Sequence, residues 1–153
     1  EGGFHKEVKK PAAAGGRVQM PTGSFSLEEL IATFSSLPFD LTFVDKDDTV
    51  RYFSPGKERI FDRSRAILGR KVQYCHPPKS VHIVNQIVKD FKAGNQEQAR
   101  FWINMGGKLI YICYYAVRDA AGGYLGTLEV TQDLTEVREL EGERRLLKYD
   151  TAE

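Results

Sequence analysis

Three long strand-like stretches joined by glycine pairs constrain this chain more than any other feature. Residues 99–105, 109–117 and 124–132 are rich in β-branched and aromatic side chains, and Gly106-Gly107 and Asp119-Ala120-Ala121-Gly122-Gly123 join them. Strand-forming residues between short glycine turns read as hairpins, so the three segments are predicted to pair antiparallel as a meander. The middle segment is apolar on both faces, which predicts that the outer side of the sheet is covered too, by a helix or a second subunit. On the last strand Gly126, Leu128, Val130 and Gln132 share one face, and Thr127, Glu129, Thr131 and Asp133 share the other. The apolar set is expected to face the interior, with Gly126 giving clearance there.

Upstream, Ser26 stands where a helix N-cap belongs, with Glu28 and Glu29 in the positive first turn. Leu27, Leu30, Ile31 and Phe34 follow at helical spacing, predicting a helix over 27–37 that stops at Pro38. Strands are expected over 41–44 and 50–53, around an Asp45-Lys46-Asp47-Asp48 turn. The polar stretch 55–74 suits single-turn helices around 59–61 and 66–68, ending at Gly69. Pro77-Pro78 opens a helix over 79–92 that Gly94 closes. A charged helix carrying Val137, Leu140, Leu146 and Leu147 is predicted over 135–147. The order, two strands, short helices, one long helix, then three strands, is an α+β plan.

Residues 1–25 mix Gly, Pro, Ala and Lys without apolar periodicity and are read as a flexible linker or tail. The domain is assigned to 26–147, and 148–153 is a second tail. A length of 153 residues fits one domain with a self-sufficient core. Lys and Arg number 22 against 21 Asp and Glu, giving a net charge of +1, so there is no basic excess to favour a nucleic-acid partner. No window approaches 18 consecutive apolar residues, which argues against a membrane span. Two cysteines make no disulfide framework, and a reducing, cytoplasmic setting is expected. Starting at Glu1 without an initiator Met, the chain is expected to be part of a longer protein with further N-terminal domains.

Catalytic signatures are missing: there is no Gly-x-Ser-x-Gly elbow, phosphate-binding loop, dinucleotide fingerprint or HExxH. The chain is therefore not expected to be an enzyme. Cys75, His76, His82 and Cys113 lack the closed spacings of a zinc site, and adjacent Cys75-His76 is poor chelate geometry. On the 79–92 helix the apolar set of Val81, Ile83, Val84, Ile87, Val88 and Phe91 spans one arc. His82 projects away from it and is expected in solvent.

The element order, Asp45 after the first strand, Leu68-Gly69-Arg70, the helix end at Phe91-Lys92-Ala93-Gly94 and Asp133-Leu134-Thr135 together resemble a PAS domain. LPFDLTFVD, RYFSPGKERIF, CHPPKSVHIV and YLGTLEVTQDLT are similar, more narrowly, to the PAS module C-terminal to hemerythrin-like domains in some bacterial proteins. The resemblance implies a five-stranded antiparallel sheet of order 2-1-5-4-3 with helices over one face and a sensory pocket between them. It implies a non-catalytic module that binds a small molecule or cofactor and relays pocket occupancy through flanking helices to other domains. Asp133 and Thr135 would cap the departing helix and carry that relay. A dimerisation or interaction module, with a filled core and a homodimeric sheet face, is the alternative. No hemerythrin iron site is possible with only His5, His76 and His82.

His76-Pro77 also resembles the iron-ligand region of some haem PAS domains. If a prosthetic group is bound, the resemblance implies haem on His76, the one metal ligand expected. Val84, Ile87, Val88, Ile112, Tyr114, Gly126, Leu128 and Gln132 complete the expected cofactor pocket. A flavin photoadduct is excluded, because Val72 stands where flavin-binding relatives carry the bonding Cys.

Overall fold

The computed structural model describes residues 16–56 and 59–151. Five strands form one antiparallel sheet in the order β4-β3-β7-β6-β5: β3 (Asp40–Asp45), β4 (Val50–Phe53), β5 (Gln98–Met105), β6 (Lys108–Arg118) and β7 (Tyr124–Asp133). A two-stranded hairpin, β1 (Arg17–Met20) and β2 (Gly23–Ser26), precedes them. Counting only the five sheet strands, the order is the predicted 2-1-5-4-3. The glycine turns act as expected: Gly106 and Gly107 take φ of 58° and 80°, a left-handed pair that only glycine adopts cheaply.

Helix α1 (Leu27–Ser36) starts with a full capping box. The Glu29 amide donates to Ser26 Oγ at 3.0 Å, and the Ser26 amide donates to Glu29 Oε1 at 2.8 Å. Helix α2 (Val81–Ala93) ends at Gly94, whose φ of 75° lets its amide turn back to the Asp90 and Phe91 carbonyls. Val88 and Phe91 are buried on its inner side, and His82 is exposed on the outer one. Between sheet and α2 run two single 3-10 turns, Arg65–Ile67 and Val72–Cys75.

Three sequence expectations are corrected here. The linker reading of 1–25 fails over 17–25, and residues 1–15 lie outside the described residues. The hairpin holds because Arg17 Nε donates to Ser24 Oγ at 2.8 Å and its guanidinium pairs with Glu29 at 2.9 Å. No helical turn forms at 59–61. Arg59 is drawn into the structure instead, donating to the Ser54 and Phe61 carbonyls, while the Ile60 amide donates to Asp40 at 2.8 Å. The helix over 135–147 shrinks to α3 (Thr135–Arg138). Leu140, Leu146 and Leu147 stay exposed, and a short helix with no surface to bury its apolar side is marginal in water.

Candidate functional site

A cavity of about 50 Å³ lies between α2, the two 3-10 turns and one face of the sheet. Its walls are Val44 and Val50 from the β3–β4 hairpin, Val72 from the second 3-10 turn, and Val84, Ile87 and Val88 from α2. Val44, Val50 and Val72 are also a buried cluster in their own right, with Ile67, Cys75 and Val84 packed against it. The apolar walls follow from the helical periodicity of α2 and the β-branched strand residues that face it.

One side of the cavity is polar. Glu129 on β7, only 13% exposed, accepts a hydrogen bond from Arg63 Nη2 at 3.1 Å. Tyr114, its cross-strand neighbour on β6, lies against the same carboxylate. Burial, reinforced by the Glu129 charge, pushes the Tyr114 phenol well above its ordinary range, so it stays protonated and available as a donor. Thr42, which pairs with Glu129 across β3 and β7, completes this side. The Thr127 hydroxyl is spoken for by Tyr124 at 2.8 Å, and His76 Nδ1 lies 2.9 Å from the Val72 carbonyl.

The predicted pocket residues divide. His76, Val84, Ile87, Val88 and Tyr114 line the cavity. Ile112 shares Tyr114's face of β6 but lies beyond the lining, toward Ile110. Gly126, Leu128 and Gln132 lie on the opposite face of β7, and Thr127 and Glu129 point inward in their place. The reason is partnership: Arg63 satisfies Glu129, Tyr124 satisfies Thr127, and the fully buried Thr131 turns its hydroxyl to Glu129 at 3.5 Å. The outer face meanwhile builds a second apolar layer from Leu41, Phe43, Cys113, Leu128 and Val130. Gly126 gives no pocket clearance. A Cβ there would stand 2.2 Å from the Val44 carbonyl oxygen and 2.8 Å from the Phe43 ring. The sequence reading missed Thr42, Val44, Val50, Arg63, Ile67, Val72, Cys75, Thr127 and Glu129. For the β3 pair the strand alternation was the available signal; for Arg63, in a broken loop, there was none.

The sheet's exit is tied down at Asp133-Leu134-Thr135, but not by the expected helix cap: the N-cap position of α3 falls on Leu134, which makes no side-chain cap hydrogen bond. Asp133 Oδ1 accepts from the Thr135 amide at 3.0 Å and from its hydroxyl at 2.5 Å. The Thr135 hydroxyl oxygen accepts from the Leu109 amide at 3.0 Å, and the Leu134 amide donates to the Leu109 carbonyl at 2.9 Å. These bonds to Thr135 hold the Asp133 carboxyl below its usual range. A wider groove of about 770 Å³, open to solvent, passes Phe34, Arg59, Lys108, Ile110 and Asp133.

The PAS domain family profile matches residues 30–135. The chain belongs to the PAS family. The crystal structure of a C-terminal domain from Streptococcus mutans is 34% identical, with 82% of this chain and 97% of that one covered and a TM-score of 0.77. A PAS domain from Colwellia psychrerythraea is 18% identical over 72% of this chain and 98% of that one, with a TM-score of 0.53. A sensory box sensor histidine kinase from Vibrio cholerae is 13% identical over 69% and 89%, with a TM-score of 0.50. These last two share the fold. No curated protein matches the chain.

Haem fails the test of size in this PAS domain. Pockets for drug-sized ligands measure roughly 300–1,000 Å³, and the cavity beside His76 is several-fold smaller. The wide groove does not reach His76. Among the described residues no group of three or more His, Cys, Asp or Glu is placed to hold a metal ion. No helix among them is long and apolar enough to cross a membrane.

Proposed function

We propose that this PAS domain is a non-catalytic sensory module whose cavity between α2 and the sheet takes a small ligand. The observation that carries the reading is the cavity's build, with apolar walls on three sides and Thr42, Tyr114 and the Arg63–Glu129 pair on the fourth. A core that merely fills space has no need of a carboxylate and a guanidinium beside a void. Occupancy would act on β6 and β7, which carry Tyr114 and Glu129 at the cavity. Their far ends hold Leu109 and Asp133, whose hydrogen bonds to Thr135 would set the departure of the chain. A displacement of the two strands thus becomes a displacement of whatever follows Thr135.

The domain would belong to a longer parent protein with further N-terminal domains, in the reducing cytoplasm that the cysteine usage suits. That the Streptococcus mutans relative is itself a C-terminal domain supports an arrangement with preceding domains, of which a hemerythrin-like one is the specific expectation. Neither a membrane nor a nucleic acid enters this reading.

A second reading, homodimerisation, is favoured by one observation. Leu27, Ile31 and Phe34 of α1 and Trp102 of β5 are exposed, Trp102 by 64%. Methyl spectra of Ile- and Val-labelled protein, recorded against a panel of organic compounds of up to six non-hydrogen atoms, test the first reading. Shifts at Val84, Ile87 and Val88 support it, and their absence across the panel overturns it. Sedimentation of the same sample decides the second: a dimer supports it and a monomer at 100 μM opposes it.

A further inference from the structure

The cavity's polar side carries one unpaired hydroxyl. Thr42 Oγ1 is buried without a hydrogen-bond partner, in a residue only 7% exposed. Its polar neighbours have partners of their own: Glu129 is bonded to Arg63, Thr127 to Tyr124, and His76 Nδ1 lies against the Val72 carbonyl. Buried hydroxyls in folded proteins almost always find a partner, so an orphan at the wall of a void is a place for a ligand's polar atom or for a water that such an atom displaces. A hydroxyl both donates and accepts, and it is matched by another hydroxyl or by a carbonyl.

Charge narrows the class. The carboxylate of Glu129 and the guanidinium of Arg63 cancel at 3.1 Å, which leaves no unpaired charge to receive an ion. A carboxylate or ammonium entering here would shed its hydration and meet no free counter-charge. Size narrows it further. A cavity of about 50 Å³ is several-fold smaller than pockets for drug-sized ligands, which leaves room only for a short-chain compound.

Resting on the sensory-pocket reading, we infer that the cavity selects an uncharged, short-chain alcohol or ketone whose single polar atom pairs with Thr42 Oγ1 and whose carbons lie against Val44, Ile87 and Val88. The isosteric Thr42→Val exchange removes the hydroxyl and nothing else of size. A ligand this small is held no tighter than tens of micromolar, so the assay runs at millimolar probe.

The test uses the full chain with labelled Ile, Val and Thr methyls, titrated with 1-propanol, 2-butanone, propionate, propylammonium and, separately, xenon. The expected result is that propanol and butanone move the Thr42, Val44, Ile87 and Val88 methyls, with propionate and propylammonium at least about tenfold weaker. Thr42→Val weakens propanol by about tenfold, the worth of one hydrogen bond, and leaves xenon unchanged. Thr42→Ser, which keeps the hydroxyl, stays within about threefold of the parent on the same scale and serves if the valine variant folds poorly. If xenon enters but propanol is insensitive to Thr42→Val, or propionate binds equally well, this inference falls and the sensory pocket stands. If neither xenon nor any organic probe enters, both fall.

Discussion

Replacing Gly126 by Ala gives opposite results depending on which face of β7 is inward. In this structure the added Cβ meets the Val44 carbonyl oxygen at 2.2 Å and two Phe43 ring carbons at 2.8 Å. The carbonyl is about 1 Å inside ordinary contact and belongs to the backbone of β3, which pairs with β7 from Asp40↔Thr131 to Asp45↔Gly126. Relief requires β3 to move off β7 at that end, loosening ladder hydrogen bonds worth about 1 kcal/mol each. Added to an overpacking cost of about 1–3 kcal/mol, the loss comes to about 3 kcal/mol. At about 4 °C per kcal/mol for a domain of this size, Tm falls by about 10–15 °C. Were Gly126 instead facing an open pocket, Ala would stabilise by about 0.4–1 kcal/mol through the unfolded chain and raise Tm slightly. Thermal unfolding followed by circular dichroism reads the sign directly. A Gly126→Ala variant that melts at or above the parent temperature refutes the assignment of the faces.

Arg63→Ala leaves the Glu129 carboxylate largely buried and unpaired, and urea unfolding should show a loss of about 1–3 kcal/mol, whereas His82→Ala on the exposed side of α2 should stay within about 0.5 kcal/mol. Asp133, its carboxyl lowered by its bonds to Thr135, contributes stability above its unfolded pKa that is lost as pH falls through the lower folded value. The Thr135 amide resonance should therefore titrate with a midpoint below 3.8, and a midpoint at or above 3.8 contradicts the Asp133–Thr135 bonds. Incubation with haemin should give no Soret band that His76→Ala removes, because the cavity is too small; such a band would show that α2 moves aside to admit the macrocycle.

Where the governing signal is local, the sequence was readable. Ser26 and Glu29 make the α1 cap, Gly94 stops α2 and the glycine turns impose the meander, all within a few residues of themselves. The faces of β7 were not readable. Alternation separates Leu128 and Val130 from Thr127 and Glu129, but a period of two does not say which set is inward. The choice falls to Arg63, which reaches Glu129 from 66 residues away, and to the outer layer of Leu41, Cys113 and Val130 that absorbs the apolar set. The same limit explains the truncated C-terminal helix. Val137, Leu140, Leu146 and Leu147 have helical spacing, but spacing alone supplies no surface to pack against. The β1–β2 hairpin carries no strand signal at all and rests on what Arg17 does with Ser24 and Glu29.

The central claim is that cavity occupancy reaches the sheet's exit, and hydrogen exchange at the Leu109, Leu134 and Thr135 amides tests it most directly. The measurement compares protein without ligand and with 2-butanone at a concentration that saturates the Val84, Ile87 and Val88 methyl shifts. Coupling through β6 and β7 predicts exchange rates at these three amides changed by at least about threefold, while the hairpin amides of Val18 and Phe25 stay constant. Saturated methyl shifts with unchanged exchange at Leu109, Leu134 and Thr135 would contradict it.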